Sequence, residues 1–350
     1  MTSSSAGKAL LAIVVFTLWN LHLHSSALKK VRQDCPQFDK GKAANNALSD
    51  DEGKATNYTL SDESILKLWQ AKQFSGERPD LSTLNIHIVL SHCVNDLDWM
   101  TTITNSYNIS SIHIISKCGK PILNAPTGSS KEILPNAGRN DHSYLYYITT
   151  ILDSKLNESK SKEEDSIVLF LKDSNGIHNQ NLVRNSYDEM IKMAASDGGF
   201  SCGTLIKTIS AYHKTSLLKQ VQMSSHEGNR YAKNDAIKFK SGFLNLNSML
   251  ESVGTELSSP LTQVCYGGDF AASVSNIRKV NETVWNKLEQ ILTRGDNIEE
   301  GHMMERSWGA LLSKPLTSFQ TNSLFNYLDN FREDGNFMGA LTKKKIEKKH

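Results

Sequence analysis

The feature that most constrains this chain is a set of short, almost wholly apolar runs, each closed by polar punctuation and separated by stretches of helical periodicity. Ser166-Ile-Val-Leu-Phe-Leu-Lys172 is the purest of them. A strand sends successive side chains to opposite faces, so a run without polar alternation must be covered on both. Asn85-Ile-His-Ile-Val-Leu-Ser91 and Ser111-Ile-His-Ile-Ile-Ser-Lys117 read as strands in the same way. Helices are predicted from Asp96 to Thr104, from Asp141 to Leu152 and from Asn185 to Ala195, with Lys120 to Pro135 as a loop. The alternation predicts an α/β fold: a single Rossmann-like, mostly parallel sheet flanked by helices. After Gly203 the pattern loosens. Gly267-Gly268 then punctuates it, and helices are predicted over Ser273–Val280, Glu282–Thr293, His302–Leu312 and, last, Ser323–Arg332.

The organisation predicted is a leader at 1–28, a polar stalk at 29–80, a globular α/β domain at 81–335 and a basic tail at 336–350. The leader carries Lys8, the apolar run Ala9–Trp19, and small residues at Ser25 and Ala27. That pattern fits a secretory signal peptide or an uncleaved signal anchor. The chain is thereby expected in the secretory pathway, in the Golgi or ER lumen or outside the cell, or as a single-pass type II membrane protein. Sequons at Asn57, Asn108, Asn157 and Asn281 agree with such a compartment. The stalk holds a twelve-residue tandem repeat, Gly41–Glu52 and Gly53–Ser64, followed by a short helix carrying Ile65, Leu66, Leu68 and Trp69. With 39 Lys+Arg against 37 Asp+Glu, the net charge of +2 argues against a nucleic-acid partner. Of five cysteines, Cys93, Cys118, Cys202 and Cys265 are able to form up to two bridges and leave Cys35 over; spacing does not fix the pairing, and buried thiols are the alternative.

In an open α/β sheet, ligands bind beyond the carboxyl ends of the strands. This selects Ser91-His-Cys-Val-Asn-Asp-Leu-Asp-Trp99 and Asp173-Ser-Asn-Gly-Ile-His178. Asp173, Asn175 and His178 are candidate ligands for Mn²⁺ or Mg²⁺, against the simpler reading of a turn. Arg139 stands at a helix N-terminus that Asn140 or Asp141 can cap, a natural place for a phosphate or carboxylate; the alternative is an Arg139–Asp141 pair with no ligand. His142 follows as a candidate base. Asp269 lies between a double glycine and small residues. Glu305 and Trp308 share a helix face, and Glu305 is either a base toward an acceptor hydroxyl or the partner of Arg306.

Leu134-Pro-Asn-Ala-Gly-Arg-Asn-Asp-His-Ser-Tyr-Leu145 resembles the "pN-x-GRE-x-HTYL" signature of the family called domain of unknown function 3431. Ser91–Trp99 resembles its "HYNEDLxWL" opening, Ile167–Lys172 its "vvFLqG" strand, Asp269–Ser273 its "QFAVS" segment and Glu305–Trp308 its "ERlW" helix. The likeness spans roughly residues 84–315, in order. This chain departs from it at Cys93, Asp96, Asn140 and Asp269. The layout is also similar to that of nucleotide-sugar glycosyltransferases with one Rossmann-like domain (glycosyltransferase A-like). The resemblance implies a lumenal, metal-assisted transferase acting on a nucleotide-sugar and a glycan or protein acceptor. Asn95, Asp96, Arg139 and Asn140 are then at the nucleotide, with Glu305, Asp269 or His142 at the acceptor. The alternatives are a non-catalytic carbohydrate- or protein-binding relative, and a metal-dependent hydrolase using His92, His142 and His178.

Overall fold

The computed structural model describes residues 80–159, 166–174, 186–196, 198–203, 212–214, 239–255, 257, 260–265 and 267–322. The leader, the stalk with its repeat and following helix, the closing helix at 323–332, the tail, Cys35, Asn175 and His178 lie outside the described residues.

The strands are β1 (Asn85–His92), β2 (Ile109–Ser116), β3 (Ser130–Ile133), β4 (Ser166–Lys172), β5 (Phe200–Cys202), β6 (Tyr212–Lys214), β7 (Leu261–Gln263) and β8 (Phe270–Ser273). The helices are α1 (Met100–Ser106), α2 (Arg139–Tyr146), α3 (Leu152–Ser159), α4 (Tyr187–Ala195), α5 (Leu246–Ser252), α6 (Val274–Lys279), α7 (Glu282–Leu292) and α8 (Glu299–Leu312). A wider π-type turn, Tyr147–Ile151, joins α2 to α3. Six strands form one sheet in the order β3-β2-β1-β4-β8-β5, and β6 pairs with β7 in a separate ribbon. β1 pairs in parallel with β2 and β4, and β2 with β3. β8 runs antiparallel to both β4 and β5. The α/β class and the mostly parallel sheet are therefore as expected.

The apolar runs are covered on both faces. Ile167, Leu169 and Leu171 of β4 join Met100 and Ile103 of α1 and Met190, Ile191 and Ala194 of α4 in one core. Val168 and Phe170 project into the opposite core with Tyr144 and Leu145 of α2, Trp285 of α7 and Trp308 of α8. There Phe170 stacks on Phe270 at 4.6 Å between centroids, and Trp308 lies 4.6 Å from Phe270. Removing a ring such as Phe170 costs about 3–5 kcal/mol in cores of this kind.

Three sequence expectations are corrected here. The segment 120–135 is not all loop, because β3 extends the sheet from it; its half-exposed Ser-Lys-Glu-Ile pattern lacks the apolar signal of a central strand. β5 and β8 escaped notice because they are short and rich in small residues. α1 begins at Met100, not Asp96, since the side chain of Asp96 is spent on the N–H of Asp98 in the preceding turn.

Candidate functional site

From β1 the chain steps outward to β2 and β3, then crosses back to place β4 on the other side of β1. At such a reversal the loops leaving the two neighbouring strands diverge and open a crevice. A cleft of about 490 Å³ lies there, within the range of small-ligand sites, ~300–1,000 Å³. β1 supplies Ser91, His92 and Cys93, the end of β2 supplies Lys117 and Cys118, and β4 supplies Lys172 and Asp173. Asn136 precedes α2, whose first residues are Arg139 and Asn140; Asp296 and Asn297 come from the approach to α8, and His302 from its first turn. The Cys93–Cys118 bridge ties the ends of β1 and β2 together. A second bridge, Cys202–Cys265, links β5 to the segment after β7. These pairings resolve what spacing left open, and they fit an oxidising compartment.

Asp173 organises the turn after β1. Its Oδ2 accepts the backbone N–H groups of Cys93, Val94 and Asn95 at 2.8, 2.8 and 2.9 Å, and its Oδ1 accepts Asn95 Nδ2 at 3.2 Å. Burial works against its ionisation, but those N–H groups hold the carboxyl below its ordinary range. A divalent cation needs oxygen lone pairs turned toward it, whereas the positive ends of three N–H dipoles surround Oδ2. Asp173 thus anchors the backbone amides of the β1 turn, while Asn175 and His178, the other two candidate ligands, lie outside the described residues. Among the described residues no group of three or more His, Cys, Asp or Glu side chains is arranged to hold a metal.

The next wall is built on a pair of left-handed residues, Gly138 (φ +58°) and Arg139 (φ +54°). Gly138 is required by contact as well as by φ: a Cβ there would lie 2.6 Å from Leu292 Cβ and 2.9 Å from the Leu292 carbonyl oxygen. It is also the N-cap of α2, without a side-chain cap bond, so neither Asn140 nor Asp141 caps the helix as expected. The buried Lys117 ammonium donates to the carbonyls of Ala137 and Arg139 and fixes this loop. Burial pushes Lys117 down to about 8. Arg139 Nη1 approaches His302 Nδ1 at 2.7 Å and Glu305 Oε2 at 3.2 Å. An arginine only donates, so Nδ1 of His302 accepts, and its Nε2–H donates to Asn297 Oδ1 at 3.2 Å.

Behind this wall sit acids that do not reach the cleft. Glu305 Oε1 accepts the N–H of Gly267 at 3.0 Å. Burial alone would raise its carboxyl, but the Arg139 guanidinium, backed by Lys172, Arg306 and His302, holds it well below the usual range. Its salt-bridge partner is Arg139 and not Arg306, whose Nη1 donates instead to the His302 carbonyl. Asp141 is fully buried and accepts Trp308 Nε1–H at 2.8 Å through Oδ1, while Oδ2 has no hydrogen bond. Burial, then the neighbouring Glu305 charge, pushes Asp141 up to about 6. Asp269, also buried, accepts the Lys172 N–H at 2.9 Å. His142 is buried, and desolvation followed by the Lys117 charge lowers it to about 4.

Of the residues singled out in the sequence, Arg139, Asn140 and Asp173 line the cleft. Glu305 stands directly behind Arg139, and Asp269 beside the backbone of Lys172. Asn95 serves the Asp173 turn. Asp96 is exposed and binds Asn124 Nδ2 at 2.8 and 2.9 Å, outside the cleft lining. The residues that sequence reasoning passed over are Lys117, Lys172 and His302. The two lysines each end or follow an apolar strand, so the rule about strand ends already pointed at them; His302 carried no local signal. Compared with protein-family models, curated proteins and solved structures, the chain matches none.

Proposed function

We propose that this cleft binds the diphosphate of a nucleotide-sugar and that the chain is a glycosyltransferase-like protein of the secretory pathway. One observation carries the reading: Lys117, Arg139 and Lys172, from three separate segments, converge on one crevice at the reversal of strand order. Oriented cations in a partly dry cleft stabilise phosphate groups and the charge that grows on a departing nucleoside diphosphate. The strand order, with its antiparallel fifth strand, is compatible with a glycosyltransferase A-like layout and with the domain of unknown function 3431 resemblance. The leader and two disulfides support a lumenal or extracellular location. Among the described residues no helix is long and apolar enough to cross a membrane.

A second reading, a nucleotide-sugar-binding relative that transfers nothing, is favoured by the state of the carboxylates. Glu305 and Asp269 are buried and engaged, so neither is free to take a proton from an acceptor hydroxyl. Calorimetric titration of the full chain, secreted from eukaryotic cells, with UDP, GDP, ADP and CMP tests the shared premise. At least one nucleotide binds if the reading is right, and failure of all four refutes it. Release of nucleoside diphosphate from the matching nucleotide-sugar, in the presence of a glycan mixture, then separates the transferase from the binding relative.

A further inference from the structure

The residues around the cleft raise a question about how a diphosphate is neutralised there, and the answer rests on the nucleotide reading above. Asp173 follows the apolar strand β4 as a metal-binding carboxylate would, yet its oxygens already take four hydrogen bonds, three of them from main-chain amides at 2.8–2.9 Å. Immediately before it, Lys172 enters the same cleft. Its backbone is fixed by Asp269 Oδ1, and its ammonium makes no hydrogen bond among the described residues. The side chain crosses Gly268: a Cβ at that position would lie 2.9 Å from Lys172 Cε and 2.6 Å from Asn140 Nδ2. Gly268 has φ +77°, so the absence of a side chain both permits the turn and leaves the lysine its path. On the facing wall, Arg139 is one-quarter exposed and is held by Glu305 and His302.

We propose that the site holds its diphosphate by the Lys172 ammonium and the Arg139 guanidinium without a divalent cation, and that Asp173 acts only to shape the β1 turn. Two fixed cations supply the charge that Mn²⁺ or Mg²⁺ would otherwise bring, the Asp173 carboxylate is turned onto the amides of the β1 turn, and Asp296, the other acid lining the cleft, accepts Asn136 Nδ2 at 3.0 Å.

The experiment is calorimetry of the full secreted chain with UDP, GDP, ADP and CMP, in EDTA and again in excess Mn²⁺. The dissociation constant of the nucleotide that binds is expected to agree within about threefold between the two conditions. In EDTA, Lys172→Ala is expected to weaken it about tenfold or more, the scale of a lost charge-assisted hydrogen bond, while Lys172→Arg retains most of the affinity. Unfolding midpoints of both variants, measured alongside, show that they fold. Binding that requires Mn²⁺ would overturn this inference and leave the nucleotide reading intact, and so would a folded Lys172→Ala protein that binds as the wild type does. Failure of all four nucleotides under both conditions removes the nucleotide reading and this inference with it.

Discussion

Asp141→Asn offers a direct test of the charge arrangement behind the cleft. The carboxyl is fully buried, has one hydrogen bond from Trp308 Nε1 and faces Glu305, so it titrates at about 6 where an exposed aspartate titrates near 3.8. The folded protein therefore binds this proton more tightly than the unfolded chain. The linked stability is fully present below the unfolded value and is lost as pH rises toward and through 6. A rise of about two pH units corresponds to about 3 kcal/mol at full extent, most of it lost between pH 4 and pH 7. Asparagine keeps an oxygen for Trp308 and cannot ionise, so the variant should not show this loss. Urea unfolding at half-unit steps from pH 4 to 7.5 would measure both proteins. Glu305, whose carboxyl is held low, loses its linked stability only as pH falls below about 4.5 and changes little across this window. Distant titrating groups are shared, so the difference between the curves reports position 141 with its coupling to Glu305. The expected difference changes by about 2–3 kcal/mol across the range, the variant gaining relative to wild type as pH rises. Parallel curves would refute the claim that a carboxyl is confined here at a cost.

Asp173→Asn removes the charge that three main-chain amides share, and a loss of about 2 kcal/mol or more in urea unfolding is expected; an unchanged midpoint would mean that the β1 turn does not depend on it. The double substitution Cys202→Ala and Cys265→Ala opens a loop with a sequence separation of 63, and chain entropy predicts a loss of about 4 kcal/mol, readable as a drop in thermal midpoint. Gly309→Ala places a Cβ 2.1 Å from the Gln263 carbonyl oxygen. The contact must move α8 away from β7, so the near-ultraviolet signal of the tryptophans should change along with a loss of about 2 kcal/mol. Gly268→Ala should weaken UDP or GDP binding by displacing Lys172 and Asn140, and calorimetry that shows wild-type affinity would count against the path assigned to that lysine.

The strands were legible where burial on both faces left no polar alternation. β1, β2 and β4 announce themselves by Ile86–Leu90, Ile112–Ile115 and Ile167–Leu171, whose apolar residues all lie inside the two cores. β8 was not legible as a strand, because Phe270-Ala-Ala-Ser273 is four residues long and draws its stability from pairing with β4 and β5 rather than from its own pattern. The same division holds at the site. Arg139 could be found from the chain, since glycine, arginine and a following amphipathic helix are neighbours in sequence. Its partners His302 and Glu305 are more than 160 residues away, and only packing of α8 against α2 brings them there. At Asp173 the contacts made by the side chain were the part not legible. An aspartate at a strand end with an asparagine two residues later reads as a cation site, and the three amides that its Oδ2 accepts belong to a turn some 80 residues earlier.

The left-handed backbone at Arg139 needs a physical reason, since a non-glycine residue in that region costs roughly 1–2 kcal/mol. Three contacts over-determine it. Lys117 draws the carbonyls of Ala137 and Arg139 toward one ammonium, Gly138 N–H donates to the Gly295 carbonyl at 2.7 Å, and the guanidinium is received by Glu305 and His302. Each joins a different segment to the start of α2, so the strain cannot relax in one place without breaking contacts in another. Strain maintained in this way is typical of sites where a side chain must be held ready for a ligand. On the nucleotide reading proposed above, the guanidinium is already desolvated on one side and fixed in direction, so that little further ordering would accompany a phosphate. An arginine on a relaxed loop would carry the same charge without that advantage, so on that reading the buried Glu305, although unavailable as a base, would still serve the cleft by holding Arg139.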